Sequence, residues 1–343
     1  MKVLANYHVG VGCSYHRVYL PASLFQLYAT TAVWSSPETP PDDMLKDLDI
    51  FWFNRVPTCS LDALLRKRDE FGFKMVTDVD DHWILYPHHE MAAAWAKSAA
   101  HEAIQKCIAI ADAVLVTNDR LRNAVKTLNP KVYVVKNGLP FGHEQFSTTR
   151  TIHGRVNFMY TGGTSHYHDL RTIQPVFRRL GQESTFRAKG EVVLAGYERE
   201  FGTAKVNGVW DRMLKLITPA KNYSVFPMRP VESYMDCYRY ADVALAPLEG
   251  NSFNAHKSNL KMLEAGCKNI PLIASDVEPY NLDSTSGMAL CNSTQEWVDA
   301  IKQLMLDPIL RSRMGRLLGD YVRTYYGLGT MNEKRYRIFS TLI

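Results

Sequence analysis

Short apolar runs alternate with amphipathic stretches along most of this chain. The run KVLANYHV at residues 2–9 predicts a strand, and a Gly-containing turn leads from it into a helix expected over 14–27. LDIFWFN at 48–54 predicts the next strand, 61–71 a helix, and KMVTDVDD at 74–81 a strand that ends in carboxylates. An Ala-rich helix is expected over 92–111, followed by strands AVLVTN at 113–118 and VYVVKNG at 132–138. After a linker at 142–154, rich in Thr, His and Gly, the pattern restarts with RVNFMYTGG, EVVLAG, YSVFPM, DVALAP and IPLIAS. Alternation of this kind predicts an α/β protein whose parallel sheets carry helices on both faces. The restart predicts two Rossmann-like domains, over 1–148 and 149–315, with 316–343 as terminal helices.

Composition narrows the class. The 343 residues are 46% hydrophobic and 22% charged, as in a soluble globular protein with room for two cores. No window approaches the run of about 18 apolar residues that a membrane span needs. MKVLANYHVGVG lacks the apolar region and cleavage site of a signal peptide, so a cytoplasmic protein is expected. The six cysteines have no CxxC spacing and predict reduced thiols, not a disulfide framework or a zinc site. The net charge of +5 is uneven: residues 1–148 hold 15 Lys+Arg against 16 Asp+Glu, and the remainder 25 against 19. Much of the excess follows residue 301, in RSRMGRLLGDYVR and EKRYR, as the solvated face of terminal helices or as a surface for an anionic partner.

Four stretches carry candidate chemistry. In residues 241–275 a strand, a polar Asn-rich loop, a helix and a second strand follow one another. With Lys257, Lys261 and Glu264 all placed on that helix, the spacing predicts one face bearing two ammonium groups and a carboxylate. Such a set suits a ligand with a diphosphate and a ribose diol. Gly10-Val11-Gly12, at the end of the first strand, allows close backbone approach at Gly12 and presents Arg17 from the following helix. Asp78, Asp80 and Asp81 crowd three carboxylates at one strand end, which predicts a raised pKa for at least one of them. They read as groups that orient a hydroxyl, as caps of the next helix, or as an Asp-x-Asp metal site. Gly162-Gly163, followed by Thr164, Ser165, His166 and Asp169, offers backbone N–H groups to a phosphate, with Thr164 or Ser165 as helix cap. Lys136-Asn137-Gly138 reads as a structural turn.

The ending MLEAGCKNIPLIAS resembles the donor-binding unit of retaining GT-B glycosyltransferases of the family-4 type. The resemblance implies two Rossmann-like domains facing a central cleft, with the terminal helices crossing back onto the first domain. It assigns Glu264 to the donor ribose. Lys257, Lys261 and the Gly162-Gly163 turn go to the diphosphate, and Asn254 with Lys257 to contacts left by a departure, since His256 stands where the family often has glutamate. Tyr15 and Arg17 match the opening of similar short transferases, and His166 and Asp169 match a Gly-Gly…His-x-x-Asp pattern. Where many relatives have His-Asp, this chain has Asp80-Asp81 followed by His82, and either aspartate is expected to orient the acceptor hydroxyl or the donor sugar. A base-binding region is expected near 196–200 and 225–228.

The implied cofactor is a nucleoside-diphosphate sugar, UDP-sugar favoured, used as donor without a metal. The implied chemistry is transfer with retention, by front-face attack assisted by the leaving phosphate. The acceptor is left open between a glycan or glycoside and a hydroxymethylated base in phage DNA. The second case, in a host cytoplasm, would use Arg66-Lys67-Arg68, Arg120 and Arg122 for the backbone and Trp83 and Trp95 for a flipped base. Two other classes remain, a GT-B nucleotide-sugar epimerase and a non-catalytic partner subunit.

Overall fold

The computed structural model describes all residues except 150, 152–153, 199–203 and 284, and no side chains at 204–207. Parts of the expected linker and base-binding region, including Arg199 and Glu200, therefore lie outside the described residues.

Strands β1 (Lys2–Asn6), β2 (Thr30–Trp34), β3 (Ile50–Asn54), β4 (Lys74–Val79), β5 (Ala113–Val116) and β6 (Val132–Val134) form a parallel sheet in the order β2-β1-β3-β4-β5-β6. A second parallel sheet, in the order β12-β11-β10-β7-β8-β9, comprises β7 (Val156–Thr161), β8 (Gly190–Tyr197), β9 (Tyr223–Pro227), β10 (Val243–Ala246), β11 (Leu272–Ser275) and β12 (Met288–Cys291). Both faces of each sheet are covered, so neighbouring side chains enter different cores. Val3 and Ala5 pack with Trp52, Val76 and Leu115 on one face, while Leu4, Phe51, Phe53 and Met75 point to the other. In the second sheet Phe158, Leu194 and Leu245 face one core, and Met159, Val193 and Ala244 the other. That last core also takes in Tyr15, Leu20 and Leu139, so apolar packing is continuous between the halves.

Several elements differ from expectation. Strands β2 and β12, at sheet edges, are not among the expected strands: β2 opens on two threonines, and β12 is an apolar run of four residues only, MALC. The helix expected over 14–27 is a succession of short pieces: Gly12–Ser14, a wide π turn at Tyr15–Tyr19, Leu20–Ser23 and a tight turn at Phe25–Leu27. The Ala-rich stretch splits into Ala92–Lys97 and Ala100–Ile110, because Ala99 takes a left-handed φ of 51°. Ahead of Glu264 the helix spans Leu260–Cys267, and Lys257 precedes it in extended backbone at φ −65°, ψ 162°. Lys257 and Lys261 therefore do not share a helix face.

Helix Pro308–Tyr325 crosses Leu260–Cys267 closely, and helix Leu328–Ser340 then returns to the first sheet, where Met331, Ile338 and Phe339 complete its core. Arg335 in the last helix is fully buried over Trp52, so this part of the basic tail is core and not surface. All six cysteines are free, and among the described residues no helix is long and apolar enough to cross a membrane.

Candidate functional site

A cavity of about 380 Å³ opens between the two sheets. It is lined from the first half by Gly12, Arg17, Asp80 and Asp81, and from the second by Gly162, Gly163, His166, Lys257, Lys261 and Glu264. Ten of the candidate residues thus meet in one place although they are spread over most of the chain. Thr164 and Asn254 are not among the lining residues. Asn254 is buried and donates to Asp169 (2.8 Å) and to the Glu249 carbonyl (2.9 Å). Neither Thr164 nor Ser165 caps the helix behind it, where Gly163 and His166 hold the cap positions without side-chain bonds.

Glu264 is 1% exposed, yet it has three donors. Tyr234 Oη reaches Oε1 at 2.7 Å, Tyr238 Oη reaches Oε2 at 2.7 Å, and Lys261 Nζ reaches Oε2 at 3.0 Å. Burial pushes the carboxyl up, but Lys261 and the two hydroxyls outweigh it and hold it below the usual range. Because both tyrosines donate to the carboxylate, their oxygens must accept: Tyr238 from Thr161 Oγ1 at 2.8 Å, and Tyr234 from His16 Nε2 at 2.9 Å. His16, from the first half, is therefore neutral with its proton on Nε2, and burial lowers its pKa to about 4. Its Nδ1 is buried, with no partner among the described residues.

A second buried carboxylate, Asp169, accepts from His166 Nδ1 (2.8 Å), the Glu249 N–H (2.9 Å) and Asn254. Burial raises its pKa, and these donors bring it below the ordinary value. His166 thus donates its Nδ1–H as a hydrogen bond to Asp169 and keeps Nε2 as the ring's other polar atom. Beside it, Gly162 has no room for a side chain, since a Cβ would stand 2.7 Å from Tyr160 Oη. Gly163 is open, in extended backbone.

In the first half each carboxylate of the acidic strand end is matched to a cation. Asp78, inside the core, receives Arg17 through Nε (2.6 Å) and Nη2 (3.1 Å), and burial raises its pKa. Arg17, 1% exposed, also donates to Asn137 Oδ1 and the Val135 carbonyl at 2.8 Å each. Most of its donor capacity is therefore spent within the protein, although the residue also lines the cavity. Asp80 is bound by Arg55 (2.8 Å) and Asn54 (3.2 Å), which overcome the effect of burial and lower its pKa. Asp81 lies between Arg55 Nη2 (3.3 Å) and Lys257 Nζ (3.6 Å). Asp78 and Asp80 thus answer to different guanidinium groups, and the mutual repulsion expected of the three carboxylates is offset by Arg17, Arg55 and Lys257.

Four of the five basic residues suggested for DNA are ion-paired, and Arg66 is exposed. Arg68 pairs with Asp112, Lys67 with Asp42 and Glu70, Arg122 with Asp119, and Arg120 with Glu278 across the cleft. Trp83 is buried in a core, so it presents no free stacking face for a flipped base, and the partly buried Trp95 donates from its indole N–H to the Trp83 carbonyl. At the expected base-binding region, Gly196, Pro227 and Met228 line the cavity, and the Met228 N–H is bonded to the Tyr197 carbonyl. His256 turns away, its Nδ1 on the Ser252 carbonyl and its ring 4.6 Å from that of His82. Sequence reasoning missed His16, Arg55, Tyr234 and Tyr238. The tyrosines are four apart, a spacing too common to single them out, and His16 meets them from 218 positions away.

No protein-family model matches the chain, and no curated protein matches it in sequence. Solved structures do match. Sucrose-phosphate synthase from Thermosynechococcus elongatus superposes with a TM-score of 0.71 at 11% identity, over 99% of this chain and 98% of that one. Anabaena HepE in complex with UDP-glucose gives 0.66 at 11% identity, over 99% and 100%. A UDP-forming α,α-trehalose-phosphate synthase from Burkholderia xenovorans gives 0.60 at 14% identity, over 94% and 78%. The fold is GT-B: two Rossmann-like units with parallel sheets facing a central cleft.

Proposed function

We propose that the protein is a retaining glycosyltransferase that moves a sugar from a nucleoside-diphosphate sugar, UDP-sugar favoured, to an acceptor hydroxyl. The observation that carries this reading is Glu264, a carboxylate kept ionised at the wall of the cleft beside Lys261 and across from the Gly162-Gly163 turn. In this reading Glu264 accepts from the ribose diol, and Lys257, Lys261 and the glycine backbone meet the diphosphate. That likeness extends to a protein solved with UDP-glucose, which favours a uridine donor.

The leaving diphosphate needs positive charge as its bond to the sugar breaks, and the two lysines supply it without a metal. Asp80 is held ionised by Arg55 and so accepts a hydrogen bond from the incoming hydroxyl, orienting it without taking its proton. Front-face attack, with the leaving phosphate taking that proton, asks for no strong base on the protein. The acceptor is a glycan or glycoside in this reading; a hydroxymethylated base is the less supported choice, given the ion-paired arginines and the buried Trp83.

Thermal-shift measurements with UDP-, GDP-, ADP- and dTDP-sugars, each with and without Mn²⁺, followed by donor hydrolysis, test the proposal. A selective, metal-independent rise in Tm is expected. Lys261→Ala should lower turnover about a hundredfold, equivalent to about 3 kcal/mol of transition-state stabilisation. Full activity in that variant, or no response to any nucleotide sugar, would overturn the assignment. Conversion of the donor, without any acceptor, to an isomeric nucleotide sugar in place of free sugar would point to an epimerase.

A further inference from the structure

The segment that leads into helix Leu260–Cys267 belongs to the second half by sequence, yet it is held from the first. Asn118, just past β5, accepts from the Leu121 N–H at 2.8 Å and so caps helix Asp119–Val125. Its amide nitrogen donates in the other direction, to the carbonyls of His256 (2.9 Å) and Lys257 (3.0 Å). Asn137, anchored by Arg17, donates to Ser258 Oγ at 2.9 Å. Asp81 stands 3.6 Å from Lys257 Nζ, and the His82 ring packs against that of His256. His256, Lys257 and Ser258 are thus each held by a side chain of the opposite half, beside the turn bonds that His256 and Lys257 make to Phe253 and Asn254.

We infer that Asn118 is a positioning residue that sets segment 256–258 in place, so that Lys257 meets a diphosphate only while the two halves are closed on one another. What Lys257 meets rests on the proposed function; that the first half holds the segment does not. Opening the cleft removes the donors from two carbonyls and the counter-charge from Lys257, and leaves the segment to its own turn bonds: His256 N–H to Phe253 (3.1 Å), Lys257 N–H to Asn254 (3.0 Å) and His256 Nδ1 to the Ser252 carbonyl (2.6 Å). Closure and phosphate recognition become one equilibrium, and a ligand that touches Lys257 shifts it while one that does not leaves it unchanged. The ligand chemistry that reports on Asn118 is therefore the diphosphate, not the nucleoside.

The test is Asn118→Ser, which keeps a helix-capping oxygen and removes the amide donor. Two readouts are needed: amide hydrogen exchange of the peptide covering 256–259, and affinities for UDP and for uridine by calorimetry. Faster exchange in that peptide is expected, with affinity for UDP falling about tenfold, the worth of a lost hydrogen bond at a charged site, and affinity for uridine unchanged. Equal losses for UDP and uridine, or unchanged exchange, would overturn the inference. If the wild-type protein bound no nucleoside diphosphate, the proposed function would fail, and the exchange measurement would still decide whether Asn118 holds the segment.

Discussion

Among single residues, His16 links the halves most directly, because its Nε2 proton is fixed by the demand of Glu264 for tyrosine donors. Its pKa, lowered to about 4 by burial, has a consequence for stability. In the unfolded chain a histidine titrates near 6.5, so between about pH 6.5 and 4 the unfolded state binds a proton that the folded state does not. The His16 contribution is therefore complete above about pH 6.5 and is lost on acidification towards 4, by about 3 kcal/mol. His89, also lowered to about 4, acts in the same direction. His16→Gln, which retains an N–H for Tyr234, should flatten the acid limb of a Tm-versus-pH profile by about one proton; an acid limb identical to wild type would show that His16 is not buried neutral.

At the scale of elements, the site depends on how closely two helices cross. A Cβ on Gly266 would stand 2.6 Å from Val322 Cγ2, and one on Gly315 would stand 2.1 Å from the Asn269 carbonyl oxygen. Helix Leu260–Cys267, which carries Lys261 and Glu264, is thereby pressed onto Pro308–Tyr325 by the absence of side chains. Gly315→Ala should destabilise the protein by about 2 kcal/mol in denaturant unfolding and weaken donor binding as the helix shifts. Gly329→Ala, where nothing lies within 4 Å, is the matched control and should leave both unchanged. Element boundaries were less legible than element types. The interior strands announced themselves as apolar runs, as did the edge strands β6 and β9, whereas β2 and the four-residue β12 were not singled out, and the helix start at Leu260 was hidden by lysines at a helical spacing.

For the whole molecule, the return of the chain to the first sheet decides what a fragment can do. Phe339, fully buried, packs its ring 5.7 Å from Phe25 and 5.6 Å from Trp52, so the last helix completes a core begun by the first strand. Phe339→Ala should cost about 3–4 kcal/mol, seen as a lower denaturation midpoint. A midpoint equal to wild type would mean that the first half is stable without that helix.

What the chain determined by itself was local and periodic. Apolar runs at strand spacing, restarting after residue 154, specify two parallel sheets, since a strand buried on both faces must be apolar along its length. Glycine pairs and charged groups at strand ends mark the site, because that is where backbone and charge are free of the sheet. Which charges remain available was decided only in three dimensions. Arg17 and Asp80 read alike as candidates, but one is committed to Asp78 in the core and the other to Arg55 at the cleft wall. Glu264 depends on Lys261 and on the distant Tyr238 and Tyr234 for its ionised state, and Lys257 depends on Asn118 and Asp81 for its position. Desolvation and pairing are properties of neighbours distant in sequence, and no local pattern encodes them.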